Sequence, residues 1–214
     1  MITKNRKAII VVAIVVVVLV MIAVLRAASG TGTSGALPQN KLAQQYANSL
    51  PALQKMVDKD PNNPTLLQEL GVAKYATGDI QGAQAAYARG VVLDSGNAVF
   101  HNNLANTYRD LGDYAKAESE YRQAMLLDPK LTTPYLNLAS IYQYILGKPD
   151  TSITIYEQGI KNNPDYVDFY NAEALVYEQE GLKTKAIQYF NKALTIQAGN
   201  PTATAGIKRL GTTK

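Results

Sequence analysis

The chain has 214 residues, 47% hydrophobic and 18% charged, with 15 Gly, 9 Pro and neither Cys nor Trp. This balance excludes a disordered or collagen-like chain, and the missing cysteine excludes disulfide scaffolds, thiolate zinc sites, iron–sulfur clusters and cysteine nucleophiles. The net charge of +4 belongs to the N-terminus: Lys4, Arg6, Lys7 and Arg26 precede any acid, and the other 17 basic residues meet 17 acidic ones, which leaves no basic footprint for nucleic acid on the body.

Residues 1–7 form a basic start, and residues 8–25, AIIVVAIVVVVLVMIAVL, an uncharged apolar run. At about 1.5 Å per residue this run spans roughly 27 Å as a helix, close to the hydrocarbon thickness of a bilayer. Its residues are β-branched, but lipid forces the backbone to satisfy its hydrogen bonds internally, which predicts a single transmembrane helix. Three cations before the run and one after it predict a single-pass protein of the cell membrane, N-terminus cytoplasmic and the remainder extracytoplasmic. The competing reading is a cleaved signal peptide, with small residues at Ala27-Ala28-Ser29-Gly30, but such peptides carry apolar cores of about 7 to 15 residues. Residues 26–40, rich in Gly, Ser, Thr and Ala, read as a flexible linker.

From about Lys41 the chain repeats itself. The small residues Gly71, Ala105, Ala139 and Ala174 recur at intervals of 34, 34 and 35, and the aromatics Tyr87, Tyr121, Tyr156 and Phe190 at 34, 35 and 34. Two further columns, Ala83, Ala117, Ser152 and Ala186, and Gly90, Ala124, Gly159 and Ala193, keep the same period. Prolines close three units at Pro61, Pro129 and Pro164, and Ser95 and Ala198 stand in for them elsewhere. The single inserted residue falls between Tyr142 and Gly147, at a helix-helix turn.

These columns resemble the tetratricopeptide repeat, a helix-turn-helix unit of 34 residues. The clearest copy runs from Leu104 to Pro129. The resemblance implies an all-α fold, a right-handed superhelical array (α-solenoid) of four full repeats over about residues 64–198. Two departures stand out: Lys74 where later copies have Tyr108, Tyr142 and Tyr177, and Glu173 where others have Leu70, Leu104 and Leu138.

Periodicity alone supports the same architecture. Leu67, Leu70 and Gly71, then Ile80, Ala83, Tyr87 and Val91, recur at helical spacing. Small residues let paired helices approach, and the aromatic column is expected to fill the groove to the next unit. Gly78, Gly112, Gly147 and Gly181 end the first helices in a left-handed turn. A single hairpin cannot bury its apolar face, so the units must stack and the ends need caps. Residues 41–59 read as the second helix of a degenerate unit, kinked or restarted at Pro51. Residues 201–210 read as a capping helix with Ile207 and Leu210 inward and Lys208 and Arg209 outward, a loose tail being the alternative. The TPR domain would then span residues 41–214.

The chain offers little for catalysis, cofactor or metal. His101, its sole histidine, shares a column with Leu67, Tyr135 and Tyr170 and is expected at a helix contact rather than as a base or ligand. Gly147-Lys148-Pro149 lacks the glycine-rich lead and the Ser/Thr of a phosphate loop. Asp79, Asp113 and Asp150 sit at turns, and Glu120 on the outer face. No Asn-x-Ser/Thr pattern occurs without a central Pro, which favours a bacterial source.

The resemblance places the first helix of each unit on the concave face. Carried over by column, that face comprises Gln68, Asn102, Asn103, Asn106, Arg109, Leu136, Asn137, Ser140, Tyr144 and Asn171. Asn103 and Asn137 occupy one column, so they would stack along the groove. A side-chain amide donates and accepts, which suits the backbone of an extended peptide; plain solvated surface is the alternative. The expectation is a membrane-tethered scaffold that binds a protein or extended peptide and serves in assembly or biogenesis of an extracytoplasmic complex. A structural subunit forming a homo-oligomer through the array ends is the second reading, and an enzyme the third.

Overall fold

The repeat columns translate into helices with defined stops. The computed structural model describes residues 39–212, with ten α-helices among them: α1 Gln39–Lys59, α2 Pro64–Ala76, α3 Ile80–Leu93, α4 Ala98–Asp110, α5 Tyr114–Leu127, α6 Thr133–Ser140, α7 Pro149–Asn162, α8 Val167–Gln179, α9 Lys183–Ile196 and α10 Pro201–Thr212. Each helix packs on its sequence neighbours, pairing α2 with α3, α4 with α5, α6 with α7 and α8 with α9 as four units, between α1 and α10. The architecture is an all-α solenoid. The basic start, the apolar run 8–25 and the linker up to residue 38 lie outside the described residues. Among the described residues no helix is long and apolar enough to cross a membrane.

Local chemistry sets the boundaries. The side chains of Asn63, Asp79, Asn97 and Asp113 accept from the backbone N–H of Leu66, Gly82, Val99 and Lys116 at 2.9–3.2 Å, satisfying helix N-termini. The first helix of each unit ends at Gly78, Gly112, Gly147 or Gly181 with φ from +61° to +87°, as the sequence predicts. Lys74, at a tyrosine column, pairs with Asp79 at 2.8 Å instead of packing.

The aromatic column packs both within its own unit and toward the next. Tyr87 lies across Gly71 of its own unit, and Tyr121 donates to Asn106 of its own unit at 2.6 Å. Toward the next helix, Tyr87 clusters with Phe100 and Leu104, and Phe190 of α9 rests on Gly206 of α10, as expected; the groove is also filled from the other side, Phe100 of α4 resting on Gly90 of α3 and Phe169 of α8 on Gly159 of α7. The same two columns hold Ala124 with Pro134 and Ala193 with Ala203. Glycine stands where the partner column carries phenylalanine, and alanine where it carries a smaller residue.

Two further expectations change. α1 runs as one helix through Pro51 and does not restart there; Ala47, whose carbonyl loses its i+4 donor at the proline, is exposed. The inserted residue sits within the last turn of the helix and not in the turn between helices: Ile141–Ile145 winds as a π-helix, with Leu146 N–H donating to Ile141 O at 3.0 Å and Lys148 N–H to Tyr142 O at 2.8 Å. Each bond is one residue wider than its unit-2 counterpart, Leu111 to Thr107 and Asp113 to Tyr108. Lys208 and Arg209 are exposed, as expected, and the Arg209 guanidinium also reaches Glu178 as a bidentate pair at 2.5 and 2.6 Å, while Ala203 and Leu210 bury α10 against α9.

The glycine–phenylalanine contact makes a sharp demand. A Cβ on residue 159 would stand 2.7 Å from Cζ of Phe169, so Gly159→Ala is expected to cost about 1–3 kcal/mol by overpacking. In a Phe169→Ala background the same change gains helix propensity and fills space, and should stabilise by up to about 1 kcal/mol. Urea unfolding of the four proteins measures the sign reversal.

Candidate protein-binding face

The first helices α2, α4, α6 and α8 lie side by side, joined by polar bonds between successive units. Tyr75 of α2 donates to Asp110 of α4 and accepts from Arg109 Nη2 at 3.2 Å. Asn137 of α6 donates to Asn106 Oδ1 of α4 at 2.9 Å, and Gln143 donates to Gln179 of α8 at 2.6 Å. Glu178 and Arg209 extend the row to α10. Tyr75, Asp110, Gln143, Glu178 and Gln179 escape a sequence reading; the clue was a polar residue near the end of each first helix, one unit apart.

The ten predicted residues divide by what their polar atoms already hold. Asn102 and Asn171 are buried in the seams between first helices: Asn102 accepts from Thr133 at 3.3 Å, and Asn171 donates to Asn200, the residue that caps α10, at 3.1 Å. They join units rather than line a groove. Arg109 is engaged with Asp110 at 2.8 Å and with Tyr75, and the Ser140 hydroxyl donates to the carbonyl of Leu136 at 2.8 Å. Leu136 packs against the core, and Tyr144 stands exposed on the π turn. Gln68 lines a groove of about 500 Å³ between α1 and α2, with Tyr46, Leu53, Met56, Glu69 and Val72.

Asn103, Asn106 and Asn137 come together on α4 and α6. Asn137 meets Asn106 rather than its column mate Asn103, and Asn106 Oδ1 accepts from both Asn137 and Tyr121. The amide nitrogens of Asn103 and Asn106 and the amide oxygen of Asn137 have no hydrogen-bond partner among the described residues. Two donors and one acceptor on adjacent helices can hold the C=O and N–H groups of one extended strand.

His101 is a brace. Its Nδ1 lies 2.6 Å from Glu120 Oε2 and its Nε2 3.1 Å from the Ser95 carbonyl, which pins the α3–α4 connection to α5. Glu120 is therefore part of the packing and not bare outer surface. Among the described residues no group of three His, Asp or Glu could hold a metal ion.

Glu173 is the chemical outlier. It occupies the leucine column of Leu70, Leu104 and Leu138, is 0% exposed, and neither carboxyl oxygen makes a hydrogen bond. Burial pushes its pKa from the ordinary 4.5 up to about 7; the Tyr189 and Tyr177 hydroxyls beside it oppose that rise, Glu157 adds to it and Lys192 counters it.

Comparison with known proteins agrees with this class. Models described as tetratricopeptide repeat match residues 98–131 and 138–201, so the chain carries tetratricopeptide repeats. It is 29% identical over 91 residues to "Tetratricopeptide repeat protein 8" of Mus musculus, spanning 42% of this chain and 17% of that protein. The chain thus covers less than a fifth of that relative's length. Among solved structures it is similar to MamA, 26% identical with a TM-score of 0.64 over 74% of this chain and 92% of that one. YrrB, described as a TPR protein with an unusual peptide-binding site, shares the fold at 16% identity and a TM-score of 0.60, over 79% of this chain and 88% of that one. The fold is that of a protein-interaction scaffold, a class that is generally non-enzymatic.

The buried carboxyl sets a pH dependence of known sign. Folded protein keeps the Glu173 proton up to about pH 7, whereas the unfolded chain loses it near 4.5, so its stabilising neutral form is fully retained below 4.5 and stability falls as pH rises between these values. At about 1.4 kcal/mol per unit the fall reaches roughly 3 kcal/mol by pH 8. The difference in unfolding free energy between the native protein and Glu173→Gln isolates this group. It should shift by that amount in favour of the glutamine between pH 4.5 and 8; a constant difference would contradict the assignment.

Proposed function

We propose that this protein is a scaffold tethered to the cell membrane by residues 8–25, which captures an extended segment of a partner protein along α4 and α6 outside the cytoplasm. The observation that carries the reading is the cluster of Asn103, Asn106 and Asn137, whose unbonded amide groups face a partner from two adjacent helices. The apolar run and its cationic flank support the tether and its orientation. A role in assembly or biogenesis of an extracytoplasmic complex, in a bacterial cell, fits a tethered scaffold that carries no catalytic constellation among its described residues.

Two experiments test the two halves of the proposal. Protease added to intact spheroplasts should remove the repeat array and leave a small membrane fragment; full protection, or release of a soluble mature form by signal peptidase, would reject the tether. For the groove, a partner captured by crosslinking in native membranes is titrated calorimetrically against single variants. Asn103→Ala should weaken binding by about 1–3 kcal/mol, with stability changed by less than about 0.5 kcal/mol. Asn137→Ala should weaken binding similarly and also cost about 1 kcal/mol of stability through its lost bond to Asn106. Ser119→Ala, on the exposed side of α5, is the control, since Glu120 braces His101. Unchanged affinity in both groove variants would make the asparagines ordinary surface.

A further inference from the structure

The edge of the array formed by the turns within units carries a row of exposed apolar side chains. Leu111 and Leu182 flank Gly112 and Gly181, and the π turn of unit 3 adds Tyr144, Ile145 and Leu146, each about 38–45% exposed. These positions bracket the glycine turns, so in a stack of hairpins they align along one edge. The π turn deepens the row: its extra residue widens the last helical turn and turns three consecutive apolar side chains outward where unit 2 presents Leu111 alone. Lys148, Lys183 and Lys185, the last with its Nζ over the Tyr177 ring, stand exposed on the same edge against Asp110, Asp150 and Glu180, so their charges balance.

The N-terminal helix leaves the array at this same edge. α1 has 21 residues and α2 has 13, lengths of about 31 and 20 Å at 1.5 Å per residue. The two are joined by a short connection at the opposite edge and pack through Tyr46, Leu50, Leu53 and Val57 against Leu66, Leu67, Leu70 and Ala73. The part of α1 before Tyr46 therefore extends past the end of α2, on the side of Gly78. Thirteen residues then separate Gln39 from the apolar run that ends at Leu25. Thirteen residues can span at most about 45 Å.

We propose that the edge bearing Leu111, Ile145, Leu146 and Leu182 docks on the extracytoplasmic leaflet of the bilayer that residues 8–25 cross, its apolar side chains entering the acyl boundary. The inference rests on the tether reading. Tethering makes the contact intramolecular, at a high effective concentration, so a shallow apolar patch suffices where free protein would not bind. Val92 and Leu126 are more exposed, at 82% and 73%, but they sit at the far ends of α3 and α5, a helix length from the tether.

The absence of native cysteine allows a clean test. Full chain is reconstituted into vesicles of phosphatidylethanolamine and phosphatidylglycerol as Leu146→Cys, Leu182→Cys or Val92→Cys, each carrying an environment-sensitive fluorophore. Brominated acyl chains should quench the label at 146 and at 182 and leave that at 92 unchanged. The same vesicles are floated after an alkaline carbonate wash. A chain that floats but shows no quenching at 146 and 182, or equal quenching at 92, overturns the docking edge and leaves the tether standing. A chain that fails to float overturns both.

Discussion

The array depends on how closely a second helix can approach the first helix of the next unit. Where Phe100 and Phe169 cross from one unit to the next, the opposing column must be glycine, because a single Cβ would overlap the ring. Each buried ring removes enough apolar surface from water to contribute on the order of 3 kcal/mol, so the contact both joins units and fixes their spacing. The small-residue column and its partner vary together along the chain, which is how a repeat with imperfect copies keeps a continuous core.

Onto that apolar joint the first helices add a polar one. Tyr75 with Asp110, Asn137 with Asn106, Gln143 with Gln179 and Glu178 with Arg209 link every consecutive pair from α2 to α10. These bonds are directional, so they set the rotation between units that a greasy contact alone leaves loose. Glu173 works against this order. A carboxyl without a hydrogen bond in a leucine column costs desolvation and returns no bond energy, so the seam between units 3 and 4 is the one most sensitive to proton concentration.

The sequence was legible where one residue type has one use. A left-handed turn requires glycine, and Gly78, Gly112, Gly147 and Gly181 mark the unit turns by their spacing alone. A small column next to an aromatic one likewise signals close helix packing. Direction was half legible: the aromatic column does reach the next helix, as Phe190 does at Gly206, but that Phe100 and Phe169 fill the groove from the other side depends on which helix each ring crosses, and a period of 34 is silent on that. Polar roles were harder still. Asn102, Asn103, Asn106 and Asn171 look alike in sequence, yet two of them are occupied in seams and two keep free amide edges. The difference is one of bond partners on other helices. The insertion could be located but its form could not, because a residue added to a helix end can lengthen a loop or widen a turn, and only the unbroken run of bonds from Ile141 to Lys148 distinguishes the two.

The orientation of the array follows if its turn edge rests on the bilayer. Helices that run between that edge and the opposite one then stand upright on the membrane, and the row of first helices becomes a wall about 20 Å high, the length of 13 residues. The asparagine cluster lies partway up that wall on α4 and α6, clear of the lipid below and of the opposite edge above. A peptide crossing from unit to unit would run parallel to the membrane surface, so such a scaffold would favour partners that are themselves held at the membrane. Those partners lose less entropy on binding because they search a plane rather than a volume. The same upright stance would turn the exposed Val92 and Leu126 away from lipid, toward the aqueous side.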